Sequence, residues 1–128
     1  RVQIHFPEDM PLIRFDYGLL LEAMSNLIDN ALHYEPEDSF IIIEAHIDES
    51  QVAIHIINHG ETIPDNARDH MMEPFYTNKQ SGHVGLGLPI AKEIAEIHHG
   101  KLHVEDTQGG GATFILTLPL HTGDNDRR

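Results

Sequence analysis

Two hydrophobic periodicities alternate along this chain, and their order limits how it can bury an apolar core. Apolar residues recur every three or four positions over residues 16–34 and 86–98, which predicts two amphipathic helices. Short apolar runs with the character of strands occupy residues 2–6, 40–47, 51–57, 101–105 and 112–120. This order predicts an α+β domain, with one largely antiparallel sheet that carries its helices on a single face.

Length and charge narrow the class of protein. The 128 residues are enough for one domain, which we assign to residues 1–121, with a polar and disordered tail at residues 122–128. The net charge of −13 argues against a nucleic acid partner, because binding to phosphate backbones needs clustered Lys and Arg. No apolar run approaches the ~20 residues of a membrane span, so we expect a domain that is not membrane-embedded. The absence of cysteine excludes disulfides and thiolate chemistry.

Polar residues recur every four positions along the first predicted helix. Glu22, Asn26 and Asn30 therefore project from one side, next to the apolar stripe. Asn is a poor residue inside a helix, because its side chain competes for backbone hydrogen bonds. One interpretation is that the amide oxygens hold Mg²⁺ and a polar ligand. The other is that these residues form the polar rim of a half-buried helix.

A glycine-rich turn comes directly before the second predicted helix. The turn consists of Gly85, Leu86, Gly87 and Leu88. Because glycine has no side chain, the backbone can approach an anion closely, and the free N–H groups at the start of a helix can bind it. Phosphate binding is one interpretation, and a plain junction between loop and helix is the other. The spacing matches neither the P-loop nor the dinucleotide-binding fingerprint.

A third polar segment follows the strand predicted at residues 51–57. Asn58 stands at the strand end, where its amide can meet the edge of a flat ligand, and Gly60 leaves room beside it. An ordinary turn explains the same composition. The eleven histidines do not indicate a metal centre, because the chain has no H-E-x-x-H motif and no cysteine ligands.

Taken in order, these segments resemble the boxes of the histidine-kinase ATP-binding domain. Residues 26–31, with His33 and Tyr34, resemble the N box, and residues 58–64 resemble the D-x-G-x-G-I-P box. Residues 73–76 are similar to the F box, residues 82–88 to the G box, and residues 109–119 to the closing strand pair. The resemblance covers residues 16–119.

The resemblance implies the Bergerat fold, a two-layer α/β sandwich that binds ATP under a mobile lid, here residues 73–85. It implies a catalytic domain that binds ATP and Mg²⁺ and donates the γ-phosphoryl group to a histidine on a separate dimerisation domain. A response regulator is then an indirect partner. The domain would be cytoplasmic and, when isolated, monomeric and without efficient autophosphorylation, since none of its histidines lies in a dimerisation helix.

The family's roles carry over to particular positions. Asn30 would coordinate Mg²⁺ and Asn26 would line the phosphate side, which makes this pair the expected catalytic residues. Nucleotide contacts are further implied for the residues that follow in the matching boxes: His33, Tyr34, Asn58, Gly60, Ile63, Lys79, Gly85, Leu86, Gly87, Leu88 and Thr113.

Two positions depart from the family pattern. Asn58 stands where the family has an adenine-binding Asp, and Thr62 replaces the second Gly of that box. We expect the Asn58 amide to accept from the adenine amino group and to donate to the neighbouring ring nitrogen. The alternative is a degenerate module with weak or no nucleotide binding that acts in protein interactions.

A serine kinase of the anti-sigma type and an ATPase of the gyrase branch are further alternatives. Gyrase-like relatives carry a water-activating Glu four residues before the Mg²⁺-binding Asn. Asn26 occupies that position here and cannot act as a general base, which argues against the gyrase branch.

Overall fold

The structure is a computed structural model that describes residues 1–11, 13–73 and 87–120. Within these residues the chain forms five strands and three helices, close to the predicted positions. The second helix is a short one that lies between the two predicted amphipathic helices. In chain order the elements are β1 (Val2–His5), α1 (Tyr17–Tyr34), β2 (Ile41–Ile47), β3 (Gln51–Ile57), α2 (Asp65–His70), α3 (Gly87–Ile97), β4 (Lys101–Asp106) and β5 (Ala112–Pro119).

The five strands form one mixed, mostly antiparallel sheet in the order β1-β2-β3-β5-β4. Strand β1 runs parallel to β2, and the other neighbours are antiparallel. Alternate residues of β3 and β5, such as Val52, Ile56, Phe114 and Leu116, are buried in a core that they share with α1 and α3. The predicted α+β class, with helices on one face of the sheet, is confirmed.

Helix α1 begins close to the predicted start at residue 16, and Asp16 is its N-cap. The Asp16 Oδ1 atom accepts a hydrogen bond from the Leu19 backbone N–H at 3.0 Å. The Asp16 backbone N–H in turn donates to Nε2 of His98 at 3.0 Å, which ties the start of α1 to the end of α3. Since Leu27 and Ala31 of α1 are fully buried, the neighbouring Asn26 and Asn30 must lie at the edge of the core.

Helix α3 ends at a left-handed residue that is not a glycine. The left-handed residue is His99, with φ 64°. The Gly100 N–H donates to the Ala95 carbonyl at 2.8 Å and the His99 N–H to the Glu96 carbonyl at 3.0 Å, the two bonds of a Schellman motif. Gly100 is needed one position later for space, because a Cβ atom there would lie 2.0 Å from the Thr117 carbonyl oxygen.

Several expectations fall outside the described residues. These are the lid beyond Glu73, the F box after that residue, the tail at residues 122–128, and with it the division into domain and tail. In the part of the chain that is described, no helix is both long and apolar enough to cross a membrane.

Candidate functional site

Two asparagine amides lie at the inner edge of α1. Asn30 is 3% exposed and is flanked along the helix by the buried Leu27 and Ala31. The Nδ2 atoms of Asn26 and Asn30 are both buried, and neither has a hydrogen-bond acceptor among the residues that the structure describes. Leaving a buried amide donor unpaired costs about 1–3 kcal/mol. If these residues formed only the polar rim of a half-buried helix, their amides would not need to be buried and this cost would not arise. The arrangement fits a ligand that brings its own acceptors.

The first residue of α3 lies directly beside one of these amides. A Cβ atom placed on Gly87 would be 3.5 Å from Cβ and 3.7 Å from Oδ1 of Asn26. The amide of Asn26 therefore meets the backbone at the start of α3, where helix N–H groups are unpaired. Leu88 is 6% exposed and belongs to the apolar core, so only its backbone can face a ligand. Gly85 and Leu86, expected beside it, lie outside the described residues.

Asn58 follows β3, and both the nitrogen and the oxygen of its side-chain amide form hydrogen bonds within the protein. Its side chain points to α1, where Nδ2 donates to the Ala31 carbonyl at 2.9 Å and to Oε1 of Glu35 at 3.1 Å. Its Oδ1 atom accepts from the Gly60 backbone N–H at 3.1 Å. Both amide hydrogens are used, so the expectation that Asn58 donates to a ring nitrogen is wrong in this arrangement. One lone pair of Oδ1 is left to accept a hydrogen bond.

Glu35, the residue that follows α1, belongs to the same cluster. Its side chain is fully buried, and Oε1 accepts from the His59 backbone N–H at 2.8 Å as well as from Asn58. Its Oε2 accepts no hydrogen bond among the described residues. A carboxylate at a helix C-terminus is electrostatically unfavourable, and this was the one signal in the sequence that set Glu35 apart.

The remaining residues expected near the base are placed in different ways. Gly60 contacts Asn58 through its N–H, and Ile63 is half-buried against the core. The Thr113 hydroxyl lies 3.0 Å from that of Thr107, which donates to the Asn58 carbonyl at 2.9 Å. By strand alternation Thr113 is on the sheet face opposite the helices, so the structure does not bring it to the Asn58 amide.

The turn between β4 and β5 packs against the backbone of Asn58. Gly111 has φ 105°, and a Cβ atom there would lie 2.1 Å from the Asn58 carbonyl oxygen. Only glycine allows both this conformation and this approach. The glycine-rich turn that resembles the family's closing strand pair thus supports the position of Asn58.

His33 is exposed in the last turn of α1, seven residues after Asn26 and therefore on a neighbouring part of the same helix surface. Tyr34 is the final residue of that helix, and its side chain lies outside the description. Lys79 lies outside the described residues as well.

Two titratable groups with displaced pKa values lie far from this cluster. Burial, followed by the neighbouring His46, lowers the pKa of His55 on the open face of the sheet. Hydrogen bonds from the backbone N–H groups of Ser50 and Gln51 lower the pKa of Asp48 in the turn between β2 and β3. Across residues 1–11, 13–73 and 87–120, no three histidine or carboxylate side chains are grouped so as to hold a metal ion.

Comparison with known proteins places these features in a family. Residues 15–122 match the model of a family described as histidine kinase-, DNA gyrase B-, and HSP90-like ATPases. The chain is 32% identical over 125 residues to the sensor protein KdpD of Clostridium acetobutylicum, which covers 93% of this chain and 14% of that protein. It is also 32% identical over 130 residues to sporulation kinase E of Bacillus subtilis, covering 100% of this chain and 17% of that protein.

Solved structures give the same result for the fold. The mycobacterial sensor histidine kinase MprB superposes with a TM-score of 0.81 at 25% identity, over 95% of this chain and 84% of that one. A nucleotide-free catalytic domain of the histidine kinase ThkA superposes with a TM-score of 0.80 at 27% identity, over 93% of this chain and 80% of that one. The chain thus corresponds to one domain of much longer curated relatives.

Proposed function

The chain belongs to the histidine kinase-, DNA gyrase B-, and HSP90-like ATPase family, and from that premise we propose that it binds Mg²⁺-ATP and donates the γ-phosphoryl group to a histidine. It is an ATP-binding domain of the histidine-kinase type, as its sensor-kinase relatives indicate. The observation that carries the proposal is the pair of buried amide donors on Asn26 and Asn30, which have no acceptor in residues 1–11, 13–73 and 87–120, and one of which lies beside Gly87. Phosphate oxygens are acceptors of the kind that these donors lack.

Asn30 is the residue that we assign to Mg²⁺. Its amide oxygen is a hard, neutral ligand, and Mg²⁺ in phosphate sites keeps several waters and takes few protein ligands. When bound, the ion neutralises part of the triphosphate charge and orients the phosphoryl group that is transferred. Charge neutralisation is needed here, because the chain itself carries a net charge of −13 and repels a polyanion.

Asn26 favours transfer over hydrolysis. An amide donates a hydrogen bond to a phosphate oxygen, but it cannot remove a proton from water. Attack by water is therefore unassisted at this position, and a nucleophile must come from elsewhere. We place that nucleophile on the histidine of a separate dimerisation domain, with a response regulator as the final acceptor and the cytoplasm as the site of action.

The first test is titration of the domain with a fluorescent ATP analogue, with and without Mg²⁺. We expect Asn30→Ala to abolish the Mg²⁺-dependent part of the affinity. The same substitution removes an unpaired buried donor, so the melting temperature should stay the same or rise. Loss of binding without loss of stability would separate a ligand role from a structural one.

Asp29→Ala is the matched control, since Asp29 is an exposed polar residue of the same helix. It should leave the Mg²⁺ response unchanged. An Asn30→Ala variant with an intact Mg²⁺ response would mean that the ion is held by other residues.

Asn58 and Thr62, the departures from the family pattern, favour a second candidate, a degenerate module that acts by protein contact. A folded domain with no affinity for ATP tighter than about millimolar would support that candidate. Joining the domain to its upstream segment tests the transfer step. An acid-labile phosphohistidine is expected, whereas an acid-stable phosphoserine on a partner would indicate a kinase of the anti-sigma type.

A further inference from the structure

The buried carboxylate of Glu35 has no part in the function proposed so far. Its residue is 6% exposed, and one oxygen accepts from both Asn58 Nδ2 and the His59 N–H. The other oxygen lies 3.5 Å from Nδ1 of His59 and accepts no hydrogen bond among the described residues. Burying a charge with an unsatisfied oxygen is costly, so a structural explanation alone is insufficient.

The orientation of the Asn58 amide is settled by the groups around it. Its nitrogen faces two acceptors, the Ala31 carbonyl and the Glu35 carboxylate, and its oxygen faces one donor, the Gly60 N–H. Rotating the amide by half a turn would set oxygen against both acceptors and N–H against N–H. Glu35 contributes the charged member of this set, and hydrogen bonds to ionised groups are the stronger ones.

We propose that Glu35 is a positioning residue that fixes the Asn58 amide with its oxygen available to the base, and so makes the site selective for ATP over GTP. The inference rests on the proposed function. The free lone pair of Asn58 Oδ1 accepts from the 6-amino group of adenine. The 6-carbonyl group of guanine would set oxygen against oxygen at that point.

The same contact makes the two residues interdependent. With aspartate at position 58, a carboxylate oxygen would replace Nδ2, which lies 3.1 Å from Oε1 of Glu35 and 2.9 Å from the Ala31 carbonyl oxygen. Two negative charges would then share a buried site. Changing Asn58 to the residue of the family box should therefore harm the site, unless the charge of Glu35 is removed as well.

The experiment measures the dissociation constants of ATP and GTP, with melting temperatures, for five forms of the domain. These are the unmodified chain, Glu35→Gln, Glu35→Leu, Asn58→Asp and the double variant Glu35→Gln with Asn58→Asp. The unmodified chain should prefer ATP at least about tenfold. Glu35→Gln keeps an oxygen for both hydrogen bonds and should keep most of this preference. Glu35→Leu should reduce the preference about tenfold.

The double variant provides the sharper comparison. Asn58→Asp alone should weaken ATP binding and lower the melting temperature, and adding Glu35→Gln should recover much of both losses. This pair of variants keeps the inference testable if Glu35→Leu does not fold.

Three results with the variants would overturn the inference. One is Asn58→Asp binding ATP as tightly as the unmodified chain. Another is no recovery in the double variant. The third is an ATP-to-GTP ratio unchanged by Glu35→Leu while only stability falls, which would mean a structural role. An unmodified chain that binds neither nucleotide overturns the proposed function together with this inference, whereas ATP binding with an unaltered ratio overturns the inference alone.

Discussion

Single polar atoms decide most of what this site can bind. Asn26 and Asn30 keep amide donors that are buried and have no acceptor among the described residues, at a cost of about 1–3 kcal/mol each. Asn58 is the opposite case, because every atom of its amide has a protein partner and only one lone pair remains. The cluster thus separates into a side with open donors, which is the proposed phosphate side, and a side that is already organised, which is the proposed base side.

Gly87 gives a prediction on the phosphate side. An added Cβ atom would sit 3.5–3.7 Å from Asn26, an ordinary contact distance, so Gly87→Ala should fold normally. Alanine is also preferred to glycine in helices by up to about 1 kcal/mol. The methyl group would nevertheless fill the gap between the Asn26 amide and the backbone. We expect nucleotide affinity to fall about tenfold with no loss of melting temperature, as measured by titration and thermal unfolding.

Gly18→Ala, near the start of α1, is the matched control for this variant. An added Cβ atom at Gly18 would have Asp16 Oδ1 as its contact, at 3.5 Å. Equal effects of the two substitutions on affinity would contradict a phosphate-binding role for Gly87.

The two sides of the cluster also differ in how far the sequence predicts them. The spacing of Asn26 and Asn30 predicted that both lie on one side of α1, because one helix places them and the helix is locally encoded. Glu35 could not be found in this way. Its partner Asn58 is 23 positions away, and the contact depends on how the end of α1 meets the end of β3.

At the scale of elements, α1 and α3 are joined by a histidine. His98 donates from Nδ1 to the Ile94 carbonyl at 2.9 Å, accepts the Asp16 N–H at Nε2, and stacks on Phe15 with ring centroids 4.2 Å apart. This contact links the helix that carries Asn26 to the helix that begins with Gly87.

The bounds of the helices could be predicted from the periodicity of apolar residues. The parallel pairing of β1 with β2 could not be predicted, since it depends on contacts between distant parts of the chain.

The end of α3 gives a prediction about stability. His99 is exposed with φ 64°, a left-handed conformation that costs a residue with a Cβ atom about 1–2 kcal/mol. His99→Gly should raise the free energy of unfolding by about 0.5–1 kcal/mol, because the gain is offset by the greater backbone freedom of unfolded glycine. His99→Ala keeps the Cβ atom and should give no such gain. Denaturant unfolding of both variants checks the difference, and equal stabilities would show that the strain is absent.

At the scale of the whole molecule, the helices that the structure describes cover one face of the sheet, and the other, called the open face, carries none of them. A row across that open face runs through His5, Glu44, His55, Ile115 and His103, as the strand registers show. His46 lies against His55, with ring centroids 4.0 Å apart, and its Nε2 is 2.9 Å from Oε1 of Glu44. The four histidines of the described strands, His5, His46, His55 and His103, all lie on this surface.

His55 gives a prediction for the pH dependence of stability. Burial and the nearby His46 and His103 lower its pKa, and they outweigh Glu44 and Glu105, which raise it. The unfolded chain then binds more protons than the folded one just below the usual value of 6.5, so stability falls as the pH drops through that value. We expect His55→Gln to reduce the fall in melting temperature between about pH 7 and pH 5.5.

An NMR titration of the ring tests the cause directly. His55 should titrate below 6.5, and His46→Gln should raise its pKa, since one of the lowering neighbours is then removed. A His55 ring that titrates at or above the usual value would contradict this account.

The 3.1 Å contact between Asn58 and Glu35 also constrains the history of the chain. If the lineage began with aspartate at position 58, a glutamate could not have been accepted at position 35 before that aspartate was lost. On that assumption the asparagine came first and the glutamate second. Once both were in place, aspartate could return to position 58 only after the charge at position 35 had been lost, for example through glutamine.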